Sequence, residues 1–196
     1  MACILFFGPG SDAWAGGDTG TLIVTLNTPT VGGAVSQAYR TYYIRLRRRD
    51  TGAEDQIRYT PHAWRTVSPN DFASTGGEGT VVTKELSAGD WEVTKFMFET
   101  HSNGIGRTRF RPLNEFSIPF TIRPGRATYI GNFQPIGLTG KNLIGMEVPG
   151  GVRFVITDKS ARDVPIAQAK QPNLGPVDIG VFDVDRLGNP LLGSRE

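Results

Sequence analysis

The chain of 196 residues holds one cysteine, Cys3, and two histidines, His62 and His101. One cysteine excludes an internal disulfide, so the fold rests on its core. Two histidines and one cysteine do not close a tetrahedral zinc site unless carboxylates complete it. No stretch is long and apolar enough to cross a bilayer as a helix. The Gly-x-Ser-x-Gly elbow, the phosphate loop and the dinucleotide fingerprint are all missing. A formal net charge of +2 is too small for the concentrated basic face that nucleic-acid binding requires. The composition therefore implies no cofactor, no metal and no enzyme; a triad built on His62 or His101 is the remaining catalytic possibility, because triads are spatial.

What is present is turn chemistry and alternation. There are 25 glycines and 13 prolines. Between them lie short runs in which apolar and polar residues alternate, the period of a strand with one buried face. Phe116, Ile118, Phe120 and Ile122 alternate with Ser117, Pro119, Thr121 and Arg123. Arg123-Pro124-Gly125-Arg126 supplies a turn, and the pattern resumes over 127–133. This reads as an antiparallel pair. Further strands are expected over 21–27, 39–48, 56–60, 80–86, 91–100, 107–111, 152–157 and 177–182. In 91–100 the alternation slips by one position, which places a bulge near Thr94 or Lys95. Pro119 cannot donate to a ladder, so its strand belongs at a sheet edge or at a bulge. Ser160–Lys170 reads as a single helix, with Ser160 as its cap, Asp163 near its positive end and Pro165 awkward within it. Residues 61–79 and 134–151 read as long connections. The sum is an all-β chain: an antiparallel β-sandwich with one short C-terminal helix.

Residues 1–15 read as a signal-peptide remnant, and 16–196 as one sandwich domain. The apolar run Ala2–Phe7 is followed by Ala13-Trp14-Ala15, the small-x-small pattern that precedes signal cleavage. Two other readings stand beside it. Cys3 is a lipidation site, or the run is a buried N-terminal strand. Export places the protein in the periplasm or cell envelope, and membrane association would require lipidation.

Three clusters are candidates for chemistry. Trp64, with His62, Arg65 and Phe72, lies in the first long connection, where aromatic residues mark binding surfaces. Arg45, Arg47 and Arg49 share one face of the second strand with Tyr43, either as a basic binding face or as a solvated outer surface. Asp183, Asp185 and Gly188 match the start of a calcium loop, but Leu187 occupies the fifth position and the twelfth lacks a carboxylate, so a polar turn is expected.

The run Leu86–Val93, LSAGDWEV, resembles an element of transthyretin-like and carboxypeptidase-regulatory-like sandwiches, in which a glycine turn precedes a strand opening with an aromatic residue. FSIPFTIRPGRATYIGNF and SARDVPIAQAKQPNL are similar to segments of uncharacterised exported bacterial proteins, many of them lipoproteins. The resemblance spans about residues 86–174 and transfers no catalytic residue. It implies a non-catalytic, envelope-associated module that is structural or binds a protein partner. The alternative is a carbohydrate-binding module or hydrolase accessory that takes a glycan through Trp64.

Overall fold

The computed structural model of the chain describes residues 18–28, 41–60, 70–74, 77–102, 106–110, 114–141 and 143–194. The order is β1 (Thr19–Thr28), β2 (Thr41–Arg48), β3 (Glu54–Tyr59), β4 (Phe72–Ser74), β5 (Gly77–Ser87), β6 (Gly89–Ser102), β7 (Gly106–Phe110), β8 (Ile118–Ile122), β9 (Ala127–Lys141), β10 (Glu147–Thr157), α1 (Ser160–Lys170), β11 (Val177–Ile179), a 3-10 turn (Val184–Leu187) and β12 (Leu192–Gly193). A seven-stranded sheet runs β12-β10-β9-β1-β5-β4, with β11 also on β9. A five-stranded sheet runs β3-β2-β6-β7, with β8 also on β6. The chain is an all-β sandwich with one short helix. Most pairings are antiparallel, but β9 lies parallel to both β1 and β11, and β12 lies parallel to β10.

The core follows from the alternation. Leu22, Val24 and Leu26 point from β1 into the space between the sheets, where they meet Tyr42, Ile44 and Leu46 of β2 and Phe96 and Phe98 of β6. Phe154 of β10 sits at the centre, with ring centroids 3.8 Å from Phe96, 5.0 Å from Phe98 and 5.4 Å from Tyr42. Ile23 has the opposite parity. It joins Val81, Ala127, Tyr129 and Ala167 in a second cluster on the outer face of the larger sheet, beneath α1. The helix thus covers one outer face and forms a third layer there.

Several local expectations hold in the structure. Arg45 pairs with Lys95 and Leu46 with Val93, so Thr94 is the extra residue of a bulge in β6. Pro119 lies in β8, whose described ladder is with β6 alone, so the strand is an edge. Phe116, Ile118, Phe120 and Ile122 are all buried.

The expected pairing of 116–122 with 127–133 is corrected. β8 belongs to the smaller sheet and β9 to the larger, so Arg123–Arg126 carries the chain across the sandwich as an arch. Alternation specifies which face is buried, and both strands send apolar side chains into the same layer; it does not say which neighbour a strand bonds. Gly20 permits the crossing, because a Cβ there would sit 2.3 Å from the Arg123 carbonyl oxygen. The connection expected over 134–151 is instead the β9–β10 hairpin, and much of 70–79 is strand. Ser160 does not cap α1. Lys159 takes that position, and the Asp158 carboxylate accepts from the Ser160 N–H at 2.8 Å.

Candidate functional site

The outer face of the five-stranded sheet carries the basic strand. On β2, Tyr43, Arg45 and Arg47 point away from the core, because Tyr42, Ile44 and Leu46 point into it. The register places Tyr43 between Arg58 of β3 and Met97 of β6, and Arg45 between Gln56 and Lys95. Tyr43, Arg45, Gln56, Lys95 and Met97 border a shallow cleft of about 140 Å³. The Arg58 guanidinium lies 5.4 Å from the centre of the Tyr43 ring, within reach of a cation–π attraction.

Carboxylates thread between the cations. Arg45 meets Glu54 at 3.4 Å. Arg47 meets Glu92 at 2.9 Å and Glu115 at 3.0 Å, and Lys95 meets Glu115 at 3.1 Å. The Ser117 hydroxyl donates to the second oxygen of Glu92 at 2.6 Å. Burial pushes the Glu92 carboxyl up, but Ser117 and Arg47 more than reverse this and hold it below the usual carboxylate range. Lys95 and Arg47 likewise hold Glu115 low. Arg45 and Lys95, two cations, stand directly opposite each other in the ladder, a pairing that costs stability and that Glu54 and Glu115 offset from either side. Arg49 is not part of this cleft. It follows the end of β2, exposed beside Asp50, Gly89 and Asp90.

A second polar cluster lies under α1. Asp163 is fully buried. Its carboxylate accepts from the Tyr129 hydroxyl at 2.7 Å and from Arg162 Nε at 2.6 Å. Burial, reinforced by the bond to Asp163, raises the Tyr129 phenol far above its ordinary value. Arg162 also donates to Asn132 Oδ1 at 3.3 Å, which accepts from Asn27 at 3.1 Å. A buried carboxylate saturated in this way anchors the helix to the sheet and does not reach a substrate. The sequence places Asp163 near the positive end of the helix dipole, and its spacing alone carries no sign of burial.

Of the aromatic loop cluster, Trp64, His62 and Arg65 lie outside the described residues, as does Cys3. Phe72 is described. It sits in β4 against the cluster beneath α1, with the Arg162 guanidinium 3.6 Å from its ring centre. His101 lies on β6 near its end. At the candidate calcium loop, Asp183 accepts from the Asp185 N–H and from Arg186, while Asp185 binds Ser194 through both its N–H and its hydroxyl. The carboxylates there hold the 3-10 turn together. Among the described residues, no group of three His, Cys, Asp or Glu gathers to hold a metal ion.

No protein-family model matches the chain, and no curated protein sequence does. Among solved structures, a leucine-rich repeat protein from Bacteroides thetaiotaomicron superposes with a TM-score of 0.36 at 14% identity, covering 59% of this chain and 13% of that one. The chain spans a small fraction of that protein's length, and a superposition this loose carries no argument about fold or function.

Proposed function

We propose that the chain is a non-catalytic, envelope-associated binding module that seats an acidic segment of a protein partner on the outer face of its five-stranded sheet. The observation that carries the reading is the juxtaposition of Arg45 and Lys95. Two cations opposite each other repel, and Glu54 and Glu115 each offset one of them from the side; an anionic ligand bridging the pair turns the remaining repulsion into attraction. Tyr43 and Met97 flank the pair, and tyrosine, methionine and arginine are the residue types enriched at protein interfaces. The same outer face of the other sheet is covered by α1, so the two sides of the sandwich are not equivalent. The envelope location rests on the Ala13-Trp14-Ala15 pattern.

A photo-crosslinking residue placed at Tyr43, and a control at the exposed Gln168 of α1, should separate the outcomes in envelope fractions of the native host. The expected result is one discrete adduct from position 43 that disappears when Arg45→Glu and Lys95→Glu are added. Identical adducts from both positions, or a protein recovered wholly in the cytosol, would refute the proposal.

A further inference from the structure

Among the described residues, the exposed large apolar side chains are Leu138, Leu143, Ile144, Met146 and Ile179. Four of these five lie on one feature, the β9–β10 hairpin, and Leu143, Ile144 and Met146 cluster at its tip, unlike the scattered exposure of an ordinary surface. The hairpin leaves the body of the sandwich. The ladder of β9 with β1 ends at Phe133, and that of β10 with β12 begins at Phe154. From Ile136 to Lys141 the described partner of β9 is β10 alone. Six residues of ribbon extend roughly 20 Å at about 3.4 Å per residue. Exposure rises along this path, from 0% at Phe133 to 37% at Leu138 and 107% at Leu143, with 75% at Ile144 and 56% at Met146. Gly145 turns the tip at φ +79°. Between Gln134 and Met146 the sole charged residue is Lys141, which is exposed just behind the tip.

We infer that this tip inserts into the interfacial region of a lipid bilayer, with Leu143, Ile144 and Met146 among the acyl chains and Lys141 reaching back to the headgroups. The shape selects this occupant. A stable protein interface draws on roughly 20–30 residues a side, and among the described residues the end of this two-stranded ribbon presents Leu143, Ile144 and Met146 alone as exposed apolar side chains. A bilayer accepts a convex apolar tip without needing a complementary pocket, and a lysine stem of four carbons suits the boundary. Lys141 is the one cation beside the tip, so attachment depends on apolar insertion and not on anionic lipid. This contact is separate from the Arg45–Lys95 face, needs no lipidation of Cys3, and can succeed or fail independently of the partner proposed above.

The test is flotation of the full chain with phosphatidylcholine vesicles, together with Leu143→Ser/Ile144→Ser/Met146→Ser. Each exposed apolar side chain is worth on the order of tenfold in partitioning when buried, so the triple variant should lose at least about 100-fold. In parallel, Ile144→Trp should be quenched by brominated phosphatidylcholine, and Gln168→Trp, on α1, should not. Absence of flotation by the folded wild type, equal flotation of the triple variant, or equal quenching at both positions would overturn the inference. Concentration-dependent dimerisation without lipid that the triple variant abolishes would overturn it too, by assigning the tip to a second copy.

Discussion

Replacing Tyr129 with phenylalanine tests whether α1 is fastened to the larger sheet by one charged hydrogen bond. The Tyr129 hydroxyl donates to Asp163 at 2.7 Å and accepts from the Lys159 N–H at 3.3 Å. Its loss leaves a fully buried carboxylate that still accepts from Arg162. A hydrogen bond to a charged group contributes about 1.5–3 kcal/mol net, and we expect Tyr129→Phe to cost about 2 kcal/mol. Asp163→Ala leaves the Tyr129 hydroxyl without an acceptor for its proton, while the Arg162 side chain, 35% exposed, can turn to water. Its cost should therefore fall at the low end of the range for a broken buried pair, about 3 kcal/mol. If both variants act through the same bond, the double variant costs about 1–2 kcal/mol less than their sum. With a urea slope of about 2 kcal/mol/M, Tyr129→Phe lowers the unfolding midpoint by about 1 M. A shift below about 0.3 M, or strict additivity in the double variant, would show that α1 is held by its apolar contacts and that the polar cluster is incidental.

Two other outcomes follow from the core and the tyrosines. Phe154→Ala removes the ring against which Phe96, Phe98 and Tyr42 pack, and should cost about 3–5 kcal/mol in denaturant unfolding; a loss below about 1 kcal/mol would place the centre of the core elsewhere. Burial pushes the Tyr59 phenol up to about 12 from 10.0, with the Thr28 hydrogen bond opposing and Glu78 adding to the rise. The folded state therefore holds that proton more tightly than the unfolded chain does. The associated stability is complete below about pH 10 and is lost as pH climbs through 12, and a pH series of urea midpoints in which Tyr59→Phe flattens the alkaline decline checks this.

How much was legible in advance depended on what kind of information each residue carries. The bulge at Thr94 was visible because a one-position slip leaves a trace in the order of Trp91, Val93, Phe96 and Phe98. Pro119 announced an edge because a missing N–H excludes an interior ladder. Side-chain parity separated Leu22, Val24 and Leu26 from Ile23, and so contained the two buried layers on either side of β1. Neighbour choice was not legible. Nothing in Phe116–Phe133 distinguishes a hairpin from an arch, since both bury the same side chains. The Gln134–Gly151 hairpin was hidden by its own glycines and prolines, which read as loop. At the candidate binding face, the arginines of β2 were evident, but the position of Lys95 opposite Arg45 depended on a register that the bulge itself shifts.

The parallel ladder between β1 and β9 has a temporal side. Thr21 pairs with Ala127, so β1 waits for a segment that is made much later. Closing a loop of that size is entropically slow. β5 arrives sooner and pairs with β1 along its whole length, but on the opposite edge, so the edge that β9 takes stays open until β9 is made. A chain released before β9 emerges would carry an open, adhesive seam, and so would favour aggregation over a partial fold.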